Sequence, residues 1–237
     1  MPLFSARALH KQYAAGVPGC CAIARILSGI DLELGPGDLV GIVGARASGK
    51  TTLVRCVAGI ARPDAGALHW AETARRPRIV SVSAPAYPFE TVEDVLERAC
   101  SEPDVEPARL EFLLGALALT GLSDRAQFAL TLCERARMAL AVGMAAARPL
   151  LLLDGTPDVV SAAQRPSVRA LLMAYAAEGR AVLVVGRDEE GVAGLAATVL
   201  RLSGGRLRSE PEREQAHRAR VAEGVGGRGP SSAGRRV

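Results

Sequence analysis

Apolar residues follow two rhythms along this chain. Short unbroken runs at residues 39–43, 150–153 and 181–185 are too brief for helices and are bounded by Gly, Pro, Asp or Arg. Such runs predict strands buried on both faces, as in a parallel sheet. Further short strands are expected at 3–9, 30–34, 67–70, 78–82 and 198–202. Between them the spacing turns helical, over 51–60, 106–119 and 134–147, and from Pro166 to Gly179. Thr91-Val-Glu-Asp94 has the form of a capping box and opens a helix running to about Cys100. A short helix is expected before residue 198.

Strands alternating with helices, after an N-terminal group of strands, predict an α/β fold: a mainly parallel sheet with an antiparallel portion. Residues 1–90 and 131–203 divide the core between them. Residues 91–130 form a mostly helical insertion, and residues 204–237 are a tail expected to be disordered after a short strand or turn.

Composition adjusts this picture in three places. Hydrophobic residues are 49% of the chain but aromatics only 3%, so the core must be built from Leu, Val, Ile and Ala. The net charge of +4 lies wholly in residues 204–237, with eight Arg against four acids, and the body is neutral. A solvated basic extension is therefore expected rather than a nucleic-acid-binding fold. The five cysteines have no metal-ligand spacing, and Cys20-Cys21 reads as a pair of loop thiols. The longest apolar runs fall short of the ~20 residues that cross a bilayer, and no basic-then-apolar leader pattern opens the chain. A cytoplasmic protein is expected, with any membrane role supplied by a partner.

The sharpest chemical signal is Gly44-Ala45-Arg46-Ala47-Ser48-Gly49-Lys50-Thr51, followed by Thr52. It has the form G-x-x-x-x-G-K-[ST] and lies between a predicted strand and a predicted helix, the context this phosphate-binding loop requires. Backbone N–H groups wrap the phosphates, the helix points its positive end at them, and the Thr51 hydroxyl is placed for Mg²⁺. Lys50 is one of only two lysines among 29 basic residues. A slim ammonium fits inside that nest where a planar guanidinium does not. Asp154 ends the run of four leucines at 150–153, the position at which a phosphate-loop fold carries its second Mg²⁺ ligand. Lys50, Thr51 and Asp154 together predict a nucleoside triphosphate with Mg²⁺.

Three stretches carry a family resemblance: Ile26-Leu-Ser-Gly-Ile-Asp-Leu-Glu-Leu-Gly-Pro-Gly-Asp-Leu-Val-Gly-Ile-Val-Gly44, Cys56-Val-Ala-Gly-Ile-Ala-Arg-Pro-Asp-Ala-Gly66, and Arg201-Leu-Ser-Gly-Gly-Arg206. With Gly121-Leu-Ser-Asp-Arg125, they resemble the ATP-binding subunit of an ABC transporter over roughly residues 3–208. The resemblance implies ATP and Mg²⁺ as ligands, Tyr13 as the aromatic that stacks on adenine, and a second ATP-binding subunit as partner. It also implies a membrane permease, met by residues 83–90 and the helical insertion.

Several positions depart from that pattern. Ala47 replaces a loop glycine, and Gly155 stands where the family has the glutamate that polarises the attacking water. A glycine offers no general base. The family's Leu-Ser-Gly-Gly-Gln signature, which binds the γ-phosphate held by the opposing subunit, aligns with Leu130-Thr-Leu-Cys-Glu134. Bulky side chains and a carboxylate there oppose close approach of a polyphosphate. The family's switch histidine aligns with Arg187, its D-loop aspartate with Ser161, and the neighbourhood of its glutamine with Ser83 and Ala84. Asp158, Glu189 and Glu190 are the candidate substitutes for the missing base. The pattern implies an ATP-binding transporter subunit with weak or absent hydrolysis. A scaffold that holds ATP without turnover and an ordinary active transport ATPase are the alternatives.

Overall fold

The computed structural model describes residues 1–15, 22–74, 77–81 and 89–209. The Cys20-Cys21 pair, Ser83 and Ala84, and the tail beyond Ser209 lie outside the described residues. The elements run β1 (Phe4–Ala15), β2 (Ala22–Leu34), β3 (Leu39–Val43), α1 (Lys50–Val57), β4 (Ala65–Trp70) and β5 (Arg78–Ser81). Then come α2 (Val92–Cys100), α3 (Pro107–Ala116), α4 (Leu132–Ala145), β6 (Leu150–Asp154), α5 (Arg165–Ala177), β7 (Ala181–Gly186), α6 (Glu189–Leu195), β8 (Thr198–Ser203) and β9 (Arg206–Ser209).

Two sheets result. The smaller is antiparallel, in the order β2-β1-β4. The larger runs β5-β6-β7-β3-β8-β9, with every pairing parallel except β8 with β9. The apolar runs become strands buried on both faces. In β6, Leu150 and Leu152 enter the core shared with α1 and the antiparallel sheet, and Leu151 and Leu153 enter the core shared with α4 and α5. In β7 the same division separates Leu183 and Val185 from Val182 and Val184. That double burial is why neither strand alternates in sequence.

The N-terminal hairpin is longer than its pattern suggests: β1 extends to Ala15, not residue 9, and β2 begins at Ala22, not residue 30. The register shifts between Ala6 and Leu9, between Leu9 and His10, and between Lys11 and Gln12. Such bulges break the period of two that marks a strand in sequence. Helix α1 also stops at Val57, before the expected residue 60, with the following Gly59 at φ 73°.

A polar knot ties the helical region to the core. Tyr175 of α5 is fully buried, and its hydroxyl donates to the Arg148 carbonyl at 2.6 Å. The Arg109 and Arg180 guanidinium groups lie 5.4 and 4.7 Å from its ring centre, in range of cation–π attraction. Burial pushes the Tyr175 hydroxyl up to about 12 despite those two cations. Arg109 of α3 makes two 2.8 Å bonds to Glu178, which also pairs with Arg180. The Arg109 bonds, helped by Arg180, outweigh partial burial and hold the Glu178 carboxyl at about 2, against an ordinary 4.5.

A carboxyl whose folded pKa is depressed stabilises the fold above its unfolded pKa, and that stability is lost as pH falls toward the folded value. Thermal melting should therefore be steady above about pH 5 and decline between there and about pH 2. Glu178→Gln is expected to melt lower than wild type at neutral pH and to converge with it as pH approaches 2, in a series of melts across that window.

Candidate functional site

The C-terminal ends of β3, β6 and β7 open on one edge of the parallel sheet, and each delivers a piece of the site. After β3 the chain turns through Gly44–Gly49 into α1. Glycine is required at both ends of this turn. A Cβ on Gly44 would come within 2.6 Å of the Leu202 carbonyl and the Ser48 hydroxyl. Gly49 sits at φ 100° with Ile26 against it. Ala47 occupies the left-handed region at φ 61° without being glycine, a conformation that costs an L-residue about 1–2 kcal/mol. Lys50 is buried and curls back onto its own loop. Its ammonium donates to the Gly44 and Ala45 carbonyls at 2.8 and 2.6 Å and to the Ser48 hydroxyl at 3.3 Å. Burial lowers its pKa, while Asp158 and Asp154 oppose the shift.

A cavity of about 250 Å³ lies over this loop, lined by Tyr13, Ile26, Ala47, Ser48, Gly49, Lys50, Thr51 and Thr52. Tyr13 comes from the far end of β1, so the bulged extension of that strand is what brings an aromatic face to the loop. Gly44 and Ala45 contribute carbonyls beneath the cavity, and Arg46 is exposed on the loop. Ile26 is a lining residue that the pattern did not single out, because it lies in the strand segment where register shifts hide the alternation.

Strand β6 delivers Asp154, whose carboxylate is under the influence of the Thr51 hydroxyl and the Lys50 ammonium. Burial raises its pKa, with Thr51 and Lys50 pulling the other way. Hard divalent cations take oxygen ligands and keep several waters. A hydroxyl and a carboxylate whose charge is disfavoured by burial supply oxygen ligands that fit such an ion. Gly155 follows in the left-handed region at φ 80°, its N–H donating to the Val185 carbonyl at 2.9 Å.

The three candidate replacement bases are all engaged. Asp158 accepts from the Arg187 and Asp188 backbone N–H groups at 2.7 and 3.1 Å and from Arg187 Nε at 2.9 Å. Burial works to raise its pKa, but these donors prevail and lower it, the wrong direction for a base. Glu189 is paired with Arg201 at 2.6 Å and Glu190 with Arg165 at 3.4 Å.

At the segment aligned with the signature, Thr131 caps α4. Its hydroxyl accepts from the Glu134 N–H, while the Thr131 N–H and hydroxyl both donate to the Glu134 carboxylate at 2.8 Å. The helix end that could greet an anion is already filled by the chain's own carboxylate. Nearby, Cys133 Sγ and the Ser161 hydroxyl both donate to Gln164 Oε1, at 2.8 and 3.1 Å, linking this helix to the loop after Asp158.

A protein-family model described as ABC transporter matches residues 27–156. The chain is 32% identical over 210 residues to the sulfate/thiosulfate import ATP-binding protein CysA of Caulobacter vibrioides, covering 81% of this chain and 62% of that relative. It is 30% identical over 227 residues to the aliphatic sulfonates import ATP-binding protein SsuB 3 of Paraburkholderia xenovorans, covering 94% of this chain and 87% of that one. Among solved structures, a nucleotide-free ATP-binding cassette from an ABC transporter superposes with a TM-score of 0.71 at 17% identity. That match covers 96% of this chain and all of the other. The cbiO1 protein of Clostridium perfringens, part of an ABC transporter complex, superposes with a TM-score of 0.72 at 17% identity, covering 94% of each. The mixed parallel and antiparallel fold is that of these cassettes.

The open space around Gly155 isolates a backbone effect. A Cβ there meets nothing within 4 Å, yet φ 80° is unfavourable for any L-residue. Gly155→Ala and Gly155→Glu are each expected to lower unfolding free energy by a similar amount, about 1–2 kcal/mol, in urea melts. A glutamate that cost nothing would mean the turn relaxes to accept it.

Proposed function

The chain belongs to the ABC transporter family of ATP-binding cassettes, and from that premise we propose that it binds Mg-ATP and couples binding to a membrane permease, with hydrolysis weak or absent. The observation that carries the second half is Gly155. The residue after the metal-site aspartate has no side chain, and Asp158, a candidate substitute, is committed to Arg187.

In this reading Lys50 exchanges its loop carbonyls for phosphate oxygens, the loop N–H groups and the start of α1 hold the polyphosphate, and Tyr13 offers its ring to the base. Thr51 and Asp154 would hold Mg²⁺, which supplies charge neutralisation on the phosphates. Arg187 stands where the family has a histidine. It serves to hold Asp158, not to relay a proton. The capping of α4 by Glu134 supports the further reading that this chain contributes little to a nucleotide bound by a second ATP-binding subunit. Catalysis in a pair would then depend on the partner's residues.

Phe89 and Phe128 support the permease contact. They are 83% and 60% exposed and meet edge to face, ring centres 5.8 Å apart, beside the segment 82–88. An exposed aromatic pair is the kind of anchor a partner buries. Among the described residues no helix is long and apolar enough to cross a membrane, so the membrane component is a separate protein in this reading.

Equilibrium binding of Mg-ATP to the purified chain, beside Lys50→Ala, tests the nucleotide site. Micromolar binding abolished by the substitution is expected, and no binding by the wild type would remove every ATP-dependent reading. Steady-state phosphate release should then lie about 10²–10⁴-fold below that of a cassette with its glutamate. Turnover at an ordinary rate would sink the weak-hydrolysis reading and favour the active one.

A further inference from the structure

A cleft of about 790 Å³ is separate from the nucleotide cavity and shares no lining residue with it. It is framed by the bulged middle of the β1–β2 hairpin, the turn before β4, and β9. Side chains of His10, Lys11, Arg25, Ser28, Asp64 and Arg206 line it. The β8–β9 turn is locked against the hairpin by the Ser28 N–H, which donates to the Gly205 carbonyl at 2.8 Å, and that contact brings Arg206 to the cleft.

Its charge is uneven. Asp64 is the one carboxylate among the described lining residues, and it is already spent. It accepts from Lys11 Nζ at 3.0 Å and from the Gln12 N–H at 2.6 Å, and these bonds hold its pKa low. Arg25 and Arg206 have no hydrogen-bond or ion-pair partner among the described residues, and both are exposed. Two guanidinium groups, an imidazole and a serine hydroxyl thus face a volume suited to a small molecule, with no free counter-charge among the described lining residues. The guanidinium fork matches oxyanions and holds phosphate bidentately.

We propose that this cleft is a second ligand site, for a small phosphate-bearing anion, held by Arg25 and Arg206 and oriented by Ser28 and His10. Lys11 links the cleft to the nucleotide side, because its ammonium also lies 5.2 Å from the ring centre of Tyr13.

Titration of the full chain with inorganic pyrophosphate, followed by backbone amide NMR, reads the two sites separately. Shifts at Lys11, Gln12, Ser28 and Arg206 report the cleft, and shifts at Ser48 to Thr51 report the phosphate loop. Saturable shifts at the cleft are expected, weakened about tenfold or more in the Arg25→Ala/Arg206→Ala chain with the loop response unchanged. Three results would each overturn the proposal: shifts confined to the loop, cleft shifts that survive the double substitution, or equal cleft shifts from sodium chloride at matched ionic strength.

Discussion

Burial of the central strands on both faces is the constraint from which the rest of this molecule follows. Leu150 to Leu153 and Ala181 to Val185 have no solvent side, so layers must cover them above and below, and because the strands pair in parallel their chain ends leave at the same edge. The phosphate loop after β3, Asp154 at the end of β6 and Arg187 just past β7 meet there for that reason. In a parallel sheet the crevice outside the carboxyl ends is where ligands bind. The site is a product of strand direction before it is a product of any one side chain.

Much of this was legible in the chain itself. The runs at 39–43 and 150–154 coincide with β3 and β6, and Thr91-Val-Glu-Asp94 caps α2 as its residues require. These features depend on local chemistry or on unbroken apolarity, which a linear reading detects. The long hairpin escaped because its bulges destroy alternation, and with it went the reach of Tyr13 and the presence of Ile26 at the loop. The capping of α4 by Thr131 and Glu134 was also missed, although the spacing is the same as at Thr91.

The pairing of Asp158 with Arg187 lies beyond any sequence reading, since the partners are 29 positions apart and meet only when β6 and β7 are neighbours. The same is true of Glu189 with Arg201 and Glu190 with Arg165. A chain this rich in arginine immobilises carboxylates wherever the two types meet, because each guanidinium is permanently charged. Around the nucleotide edge that leaves few acids at liberty. Lys50, one of two exceptions to the arginine habit, is held by carbonyls and a hydroxyl, neutral partners that a phosphate can displace.

The knot around Tyr175 has a mechanical meaning. Arg180 stands immediately before β7 and Arg187 immediately after it, while Arg109 reaches the same knot from α3. The strand between them spans six residues, or roughly 20 Å, and is fully buried. It cannot bend or slide without disturbing both cores. Through Arg109 the helical region is thus tied to one end of a buried strand whose other end leads into Arg187, the residue that holds Asp158 at the nucleotide edge.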